Sequence, residues 1–336
     1  MKERSALWDN LRGILIVTVV LSHFSETIIN NGVMAGGARA LFVFIEAFCM
    51  PIFIFVSGLF HRNRNIAQKV FAFIAFGFFY KFVVYVVCRL TAGKATFSLF
   101  TEGGAPWFMF ALAVFVLLTY LLRDSDPRII LGISIGLACF VGYDKSIGNF
   151  LCLSRIIVFY PWYIAGTMAN RIKLEALSKK KSLKFLGAAI LLAWAALCVF
   201  ALDKVYLLRP LLTGMNAYQK VHLPFPILFR VLCYCISAIL VFAWILVMPS
   251  KNTFGLTVLG QRTMQIYFLH RPLLYIIVNL GLARTMIETL PGQLVWMLIA
   301  IAMTIILTWK PLSYPTDLFL HFRTPASKVQ ESPVGK

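Results

Sequence analysis

Ten apolar runs recur along this chain, near residues 11–29, 39–60, 69–90, 107–122, 129–143, 155–170, 184–202, 225–248, 263–282 and 294–309. A bilayer's hydrocarbon core is about 30 Å thick and takes roughly 20 apolar residues in helical form. The runs therefore predict an all-α polytopic membrane protein of about ten transmembrane helices. The fifth and sixth runs are short for that thickness. Composition agrees: of the 336 residues 60% are hydrophobic and 13% charged, against about a quarter charged in a soluble domain.

The formal net charge of +19 would suggest nucleic acid in a soluble protein. Here the charge follows topology instead. With the N-terminus in the cytoplasm, the inside segments hold 20 of the 32 Lys and Arg and the outside segments 9. Lys81, Arg230 and Arg271 fall within runs. That asymmetry places both termini in the cytoplasm. The Arg171–Lys184 loop, with six cations, marks a face next to anionic membrane lipid, and no nucleic-acid partner is expected. The seven cysteines lie mostly inside apolar runs and form no metal-ligand pattern. The first apolar run is expected to stay uncleaved. The segment after Trp309, rich in Pro, Lys and Ser, is expected to be a loose tail.

Function must then sit at polar groups within the bundle, where an ionisable residue is costly and a site candidate by default. The stretch Asp9–Glu26 concentrates them. Arg12 and His23, eleven residues apart, return to nearly one helix face and lie roughly 16 Å apart along the axis. Glu26 can reach back to His23 from three residues on, and Glu46, on the second run, lies at a similar depth. Either carboxylate would fix the imidazole tautomer and raise its basicity, as a general base requires; a purely structural Glu–His pair would have the same sequence.

Pro51 is expected to kink the second run, and Gly58 to permit close packing. Arg62 and Arg64 follow it, at the mouth where Arg12 enters, and the three can bind phosphates or simply anchor the cytoplasmic face. Trp107 opens the fourth run. Pro161 and Gly166 suggest a helix broken against a cavity. Thr263, Tyr267 and His270 form a stripe that lines a polar tunnel or joins helices by hydrogen bonds. Lys81 needs a partner that the sequence does not name. Walker, dinucleotide, zincin and nucleophile-elbow motifs are absent from the sequence.

Taken in order along the chain, these positions resemble the acyltransferase-3 family of integral-membrane O-acyltransferases. Asp9-x-x-Arg12-Gly13 followed by His23 resembles the family's first span, and Met50-Pro51-x-Phe53-x-Phe55-x-Ser57-Gly58 its second. Trp107-Phe108, Pro161-x-x-x-x-Gly166, and Tyr267-x-x-His270 after Gly260 resemble later landmarks. Together they cover residues 9–270, and the overall look is similar to the fucose O-acetylase-like and capsule or exopolysaccharide O-acetyltransferase branch.

The resemblance implies acetyl transfer from cytoplasmic acetyl-CoA to a hydroxyl of a surface glycan, at a bacterial inner or plasma membrane. Residues 1–310 would form the transmembrane acyltransferase domain and 311–336 a cytoplasmic tail. His23 would be the base or acyl relay, with Glu26 and Glu46 as its carboxylates. Arg12 would support the CoA side, with Arg62 and Arg64, whose spacing is closer than the family's pattern. Asp9, Trp107, Tyr267 and His270 would line the substrate site or tunnel, with no metal required. A polymeric or lipid-linked glycan is the expected acceptor, and glycan-assembly proteins are possible partners. The alternative is an exporter or flippase of a polysaccharide or lipid-linked precursor that uses the same buried His, Glu and Arg as a polar path. A scaffold in a glycan-assembly complex is a third.

Overall fold

The computed structural model describes residues 5–31, 34–93, 95–214, 217–220 and 223–320. They form α1 (Ala6–Asn31), α2 (Gly36–Glu46), α3 (Cys49–Leu59), α4 (Ile66–Ala92), α5 (Trp107–Leu121), α6 (Pro127–Phe140), α7 (Leu153–Met168) and α8 (Arg171–Leu177). There follow α9 (Lys181–Phe200), α10 (Leu202–Tyr206), α11 (Arg209–Leu212), α12 (Pro226–Val247), α13 (Leu256–Gln261), α14 (Thr263–Asn279), α15 (Leu290–Ile306) and α16 (Tyr314–Leu320). Among the described residues there is no strand, only an isolated bridge from Thr101 to Phe150.

Each of the ten apolar runs falls on helix, but length divides them. Among the described residues, five segments are long and apolar enough to cross a membrane: α1, α2 with α3, α4, α9 and α12. A sixth qualifies if α15 and Lys310–Asp317, bent by 83°, count as one span. Helix α5 and the segment Pro127–Tyr143 are apolar but shorter.

Helix α1 lies at the centre. Leu11, Leu15, Val20 and Phe24 on it are fully buried, and α2, α13, α14 and α15 pack around it. Its junction with α13 is backbone on backbone. A Cβ on Gly13 would stand 2.1 Å from the Leu256 carbonyl oxygen, and one on Gly260 would stand 1.7 Å from that of Asp9. Only glycine fits at both places. Buried Asn10 fastens the loop that precedes α13: its amide donates to the Pro249 and Lys251 carbonyls, each at 2.9 Å, and its oxygen accepts from the Thr257 hydroxyl at 2.6 Å.

The second apolar run is broken rather than merely kinked. Helix α2 ends at Glu46 and α3 starts at Cys49. Pro51 is the cause, because its ring crowds the carbonyl four residues back, at Ala47. Near its other end α3 meets α7 as closely as α1 meets α13: a Cβ on Gly58 would lie 2.0 Å from the Tyr163 oxygen, and one on Gly166 2.1 Å from that of Phe55. This corrects the expectation of a break at Pro161. Helix α7 runs unbroken through that proline, and Gly166 serves packing instead of facing a cavity. The stripe on α14 also joins helices: Tyr80 on α4 donates to the Tyr267 carbonyl at 2.8 Å, and Thr263 caps back on Gly260 at 2.8 Å. By contrast α9 fully buries only Gly187, Trp194 and Cys198 and leaves large apolar side chains such as Phe185, Leu192 and Phe200 exposed.

Forcing a side chain into a packed contact typically costs about 1–3 kcal/mol. Gly260→Ala and Gly13→Ala should therefore each lower the melting temperature of the purified protein in detergent by several degrees. Gly132→Ala on α6, where a Cβ meets nothing within 4 Å, should leave it unchanged or slightly raised; equal losses at all three positions would refute the packing account.

Candidate active site

A cavity of about 380 Å³ opens at the end of the bundle where α1 carries His23. Val19, Ser22, His23 and Glu26 face it from α1, and Phe42 and Glu46 from α2. Gly103, Gly104, Ala105 and Trp107 close one wall, while Arg155, Arg209 and Arg271 reach it from α7, α11 and α14. The break between α2 and α3 makes room: Glu46 is the last residue of α2, and Cys49 and Met50 line the floor from the next helix.

His23 Nδ1 lies 3.5 Å from Glu26 Oε2, and the same oxygen accepts from Arg271 Nη1 at 3.4 Å. Glu26 is thus the carboxylate partner; Glu46 instead accepts from the Ser22 hydroxyl at 2.8 Å. With the proton on Nδ1 directed at Glu26, the lone pair of His23 sits on Nε2, which is the arrangement of a general base. The His23 ring stacks on that of His270, with centroids 5.3 Å apart and planes 20° apart. His270 is fully buried, and its Nδ1 donates to the Ile266 carbonyl at 3.0 Å. It backs the base rather than facing the cavity.

The wall at Gly103–Ala105 is irregular backbone held at many points. Arg155 Nη2 donates to the Gly103 carbonyl at 3.3 Å, and the Tyr267 hydroxyl to that of Ala105 at 2.5 Å. The Gly104 amide donates to Glu102 Oε1 at 2.6 Å. Lys81 finds its partner here: its ammonium lies 3.2 Å from Glu102 Oε2 and donates to the Thr101 carbonyl at 2.6 Å. A second cavity of about 380 Å³, lined by Lys81, Tyr85, Glu102 and Tyr275, adjoins the first and shares Gly103–Ala105 and Arg271 with it.

The remaining expected residues lie elsewhere. Asp9 and Arg12 sit at the opposite end of α1, where Arg12 Nη2 is 3.3 Å from Asp9 Oδ1 and the Arg12 guanidinium covers the Phe60 ring at 5.6 Å. Arg171 covers the same ring at 5.3 Å. Trp8 donates to Glu175 at 2.7 Å and Arg171 Nε at 2.9 Å. Burial alone would raise the Glu175 carboxyl, but the hydrogen bonds from Arg171, Trp8 and Ser5 outweigh it and hold it below its usual range. Arg62 and Arg64 stand exposed in the turn after α3. The structure thus gathers His23, Glu26, Glu46 and Trp107 on one cavity and sets Tyr267 and His270 just behind it. Asp9, Arg12, Arg62 and Arg64 belong to the other end.

Sequence reasoning did not find Arg155 or Arg209, and took Arg271 only as an in-span charge. Arg271 alone carried a usable signal, a cation at membrane depth directly after His270. Among the described residues no group of three or more His, Cys, Asp or Glu is placed to hold a metal ion.

Comparison with known proteins returned one family. A family model described as an acyltransferase domain, that of acyltransferase-3, matches residues 6–311. No curated protein and no solved structure gives a match. The matched span takes in α1 through α15 and every residue on the cavity: the chain belongs to the acyltransferase-3 family and is a membrane acyltransferase.

Proposed function

We propose that this acyltransferase moves an acetyl group from cytoplasmic acetyl-CoA to a hydroxyl of a capsular, exopolysaccharide or other cell-surface glycan. The reading includes ten helical crossings of a bacterial inner or plasma membrane with both termini inside, and the fucose O-acetylase-like branch of the family. The observation that supports it best is the chain Arg271–Glu26–His23 on the cavity wall. It sits roughly 16 Å along α1 from Arg12, on a span long enough to reach across the bilayer.

In this reading His23 Nε2 takes the proton of the acceptor hydroxyl as its oxygen attacks the thioester carbonyl. Glu26 steadies the imidazolium that forms, and Arg271 holds Glu26 in place. The negative charge that gathers on the acyl oxygen needs a donor, which Arg271 on the cavity wall supplies. His23 then returns the proton to the departing thiolate, so atoms and charge balance without a metal. At the other end Arg12, Arg62 and Arg64 hold the phosphates of the CoA nucleotide, with Arg171 beside Arg12, since guanidinium offers paired donors to phosphate.

Loss of a general base commonly costs 10²–10⁴-fold in rate. In a deletion strain complemented at matched membrane levels, His23→Ala should leave surface-glycan O-acetyl content near background while wild type restores it and the amount of surface glycan stays constant. Restoration by His23→Ala would sink the base assignment, and loss of the glycan itself would favour export. Arg12→Ala and Arg62→Ala should raise the KM for acetyl-CoA with acceptor KM unchanged; donor dependence like that of wild type would remove them from the donor site.

A further inference from the structure

The acyl-transfer reading leaves one feature of the cavity unused. Three guanidinium groups face it; Arg271 is tied to the Glu26 carboxylate and Arg155 to the Gly103 carbonyl, which leaves Arg209 to account for. Glu46 is engaged by Ser22. Arg209 has as its described partners the Tyr206 hydroxyl, to which it donates at 2.8 Å, and the rings of Phe42 and Tyr206, at 4.9 and 5.5 Å. No carboxylate among the described residues lies within ion-pair range of it.

All three guanidiniums are laid on aromatic faces: Arg155 on Trp107 at 4.8 Å, Arg209 on Phe42, and Arg271 on Tyr275 at 5.0 Å. A guanidinium held over a ring still has N–H donors for an oxyanion, which it can match two at a time. The ring contacts also restrict the side chain, so less freedom remains to be lost on binding. Arg39 of α2 adds a fourth cation beside the group, over the Tyr206 ring at 5.5 Å.

The phosphates of a CoA donor do not suit this place. Held here, they would put the length of the pantetheine arm between themselves and the thioester, and carry it away from His23. An anion bound at Arg209 must instead belong to the molecule whose hydroxyl reaches His23.

We propose that the acceptor glycan is acidic, and that Arg209, with Arg155 across the cavity, binds a carboxylate or phosphate on the sugar to be acylated or on its neighbour. This deepens the acyl-transfer reading and rests on it. Recognition by charge selects among glycans that share the same hydroxyl, because a neutral sugar leaves the half-buried Arg209 without an anion.

The test offers the purified protein, in lipid nanodiscs with acetyl-CoA, two matched pairs of acceptors. One is a hexuronate disaccharide and its methyl ester; the other is a phosphorylated disaccharide and its neutral parent. The acidic member of one pair should be acetylated with kcat/KM greater by about tenfold or more, the scale of a charge-assisted hydrogen bond, and the pair that responds tells carboxylate from phosphate. Arg209→Gln should erase most of that preference by raising the acceptor KM, with acetyl-CoA KM unchanged, and Arg209→Lys should restore part of it. Equal use of acidic and neutral probes by wild type would overturn the inference while leaving acyl transfer intact, as would a rise in acetyl-CoA KM alone in Arg209→Gln. Calorimetric binding of the same four probes is read in parallel. Selective binding of an acidic probe without transfer would uphold the site and fail the acyl-transfer reading instead; no selectivity in either assay overturns the proposal.

Discussion

The contact between α1 and α13 sets the rest of this structure. Gly13 and Gly260 let two backbones touch, and Asn10 ties the loop ahead of α13 to the same point. In a bilayer, helices gain little by hiding apolar surface from one another, so close backbone approach and buried hydrogen bonds carry much of the association. That contact holds the polar end of α1 against α13. The chain then continues almost directly into α14, which delivers Tyr267, His270 and Arg271 to the His23 end. His23, the ring stacked behind it and the cation that holds its carboxylate partner thus depend on one glycine pair some distance away.

The second constraint is that a buried charge must find a partner. Lys81 meets Glu102, Glu26 meets Arg271 and His23, and Glu46 meets a serine. These links join α1, α2, α4 and α14 to an irregular strap at Gly103–Ala105. Such backbone is tolerated within a membrane protein where it lines a cavity, and here it separates two cavities by the thickness of one chain.

Much of this was legible in the sequence because it is local. Hydrophobic run length placed the helices, and a three-residue spacing on a helix is enough to pair His23 with Glu26. Pro51 and Gly58 announced a disturbed helix and a close contact. What could not be read is what depends on distant parts of the chain. Arg155 opens an apolar run and Arg209 lies between two, and both look like interface cations until α7 and α11 fold them inward. Ser22 offers no signal as the partner of Glu46, and nothing near Lys81 points 21 residues on to Glu102. Pro161 misled, because a proline that the surrounding packing accommodates has the same sequence as one that breaks a helix.

Helix α5 begins at Trp107, on the cavity, and has 15 residues. At about 1.5 Å per residue it is roughly 22 Å long, some 8 Å less than the hydrocarbon layer it would have to fill, whereas α4 with 27 residues exceeds that layer. The wall that α5 gives the cavity is therefore shorter than the bilayer is thick. Lipid beside it must thin as well or yield to water, and either response shortens the path through oil between the two aqueous phases. An acyl donor and an acceptor arriving from opposite sides would then meet across a partition narrower than the membrane around it.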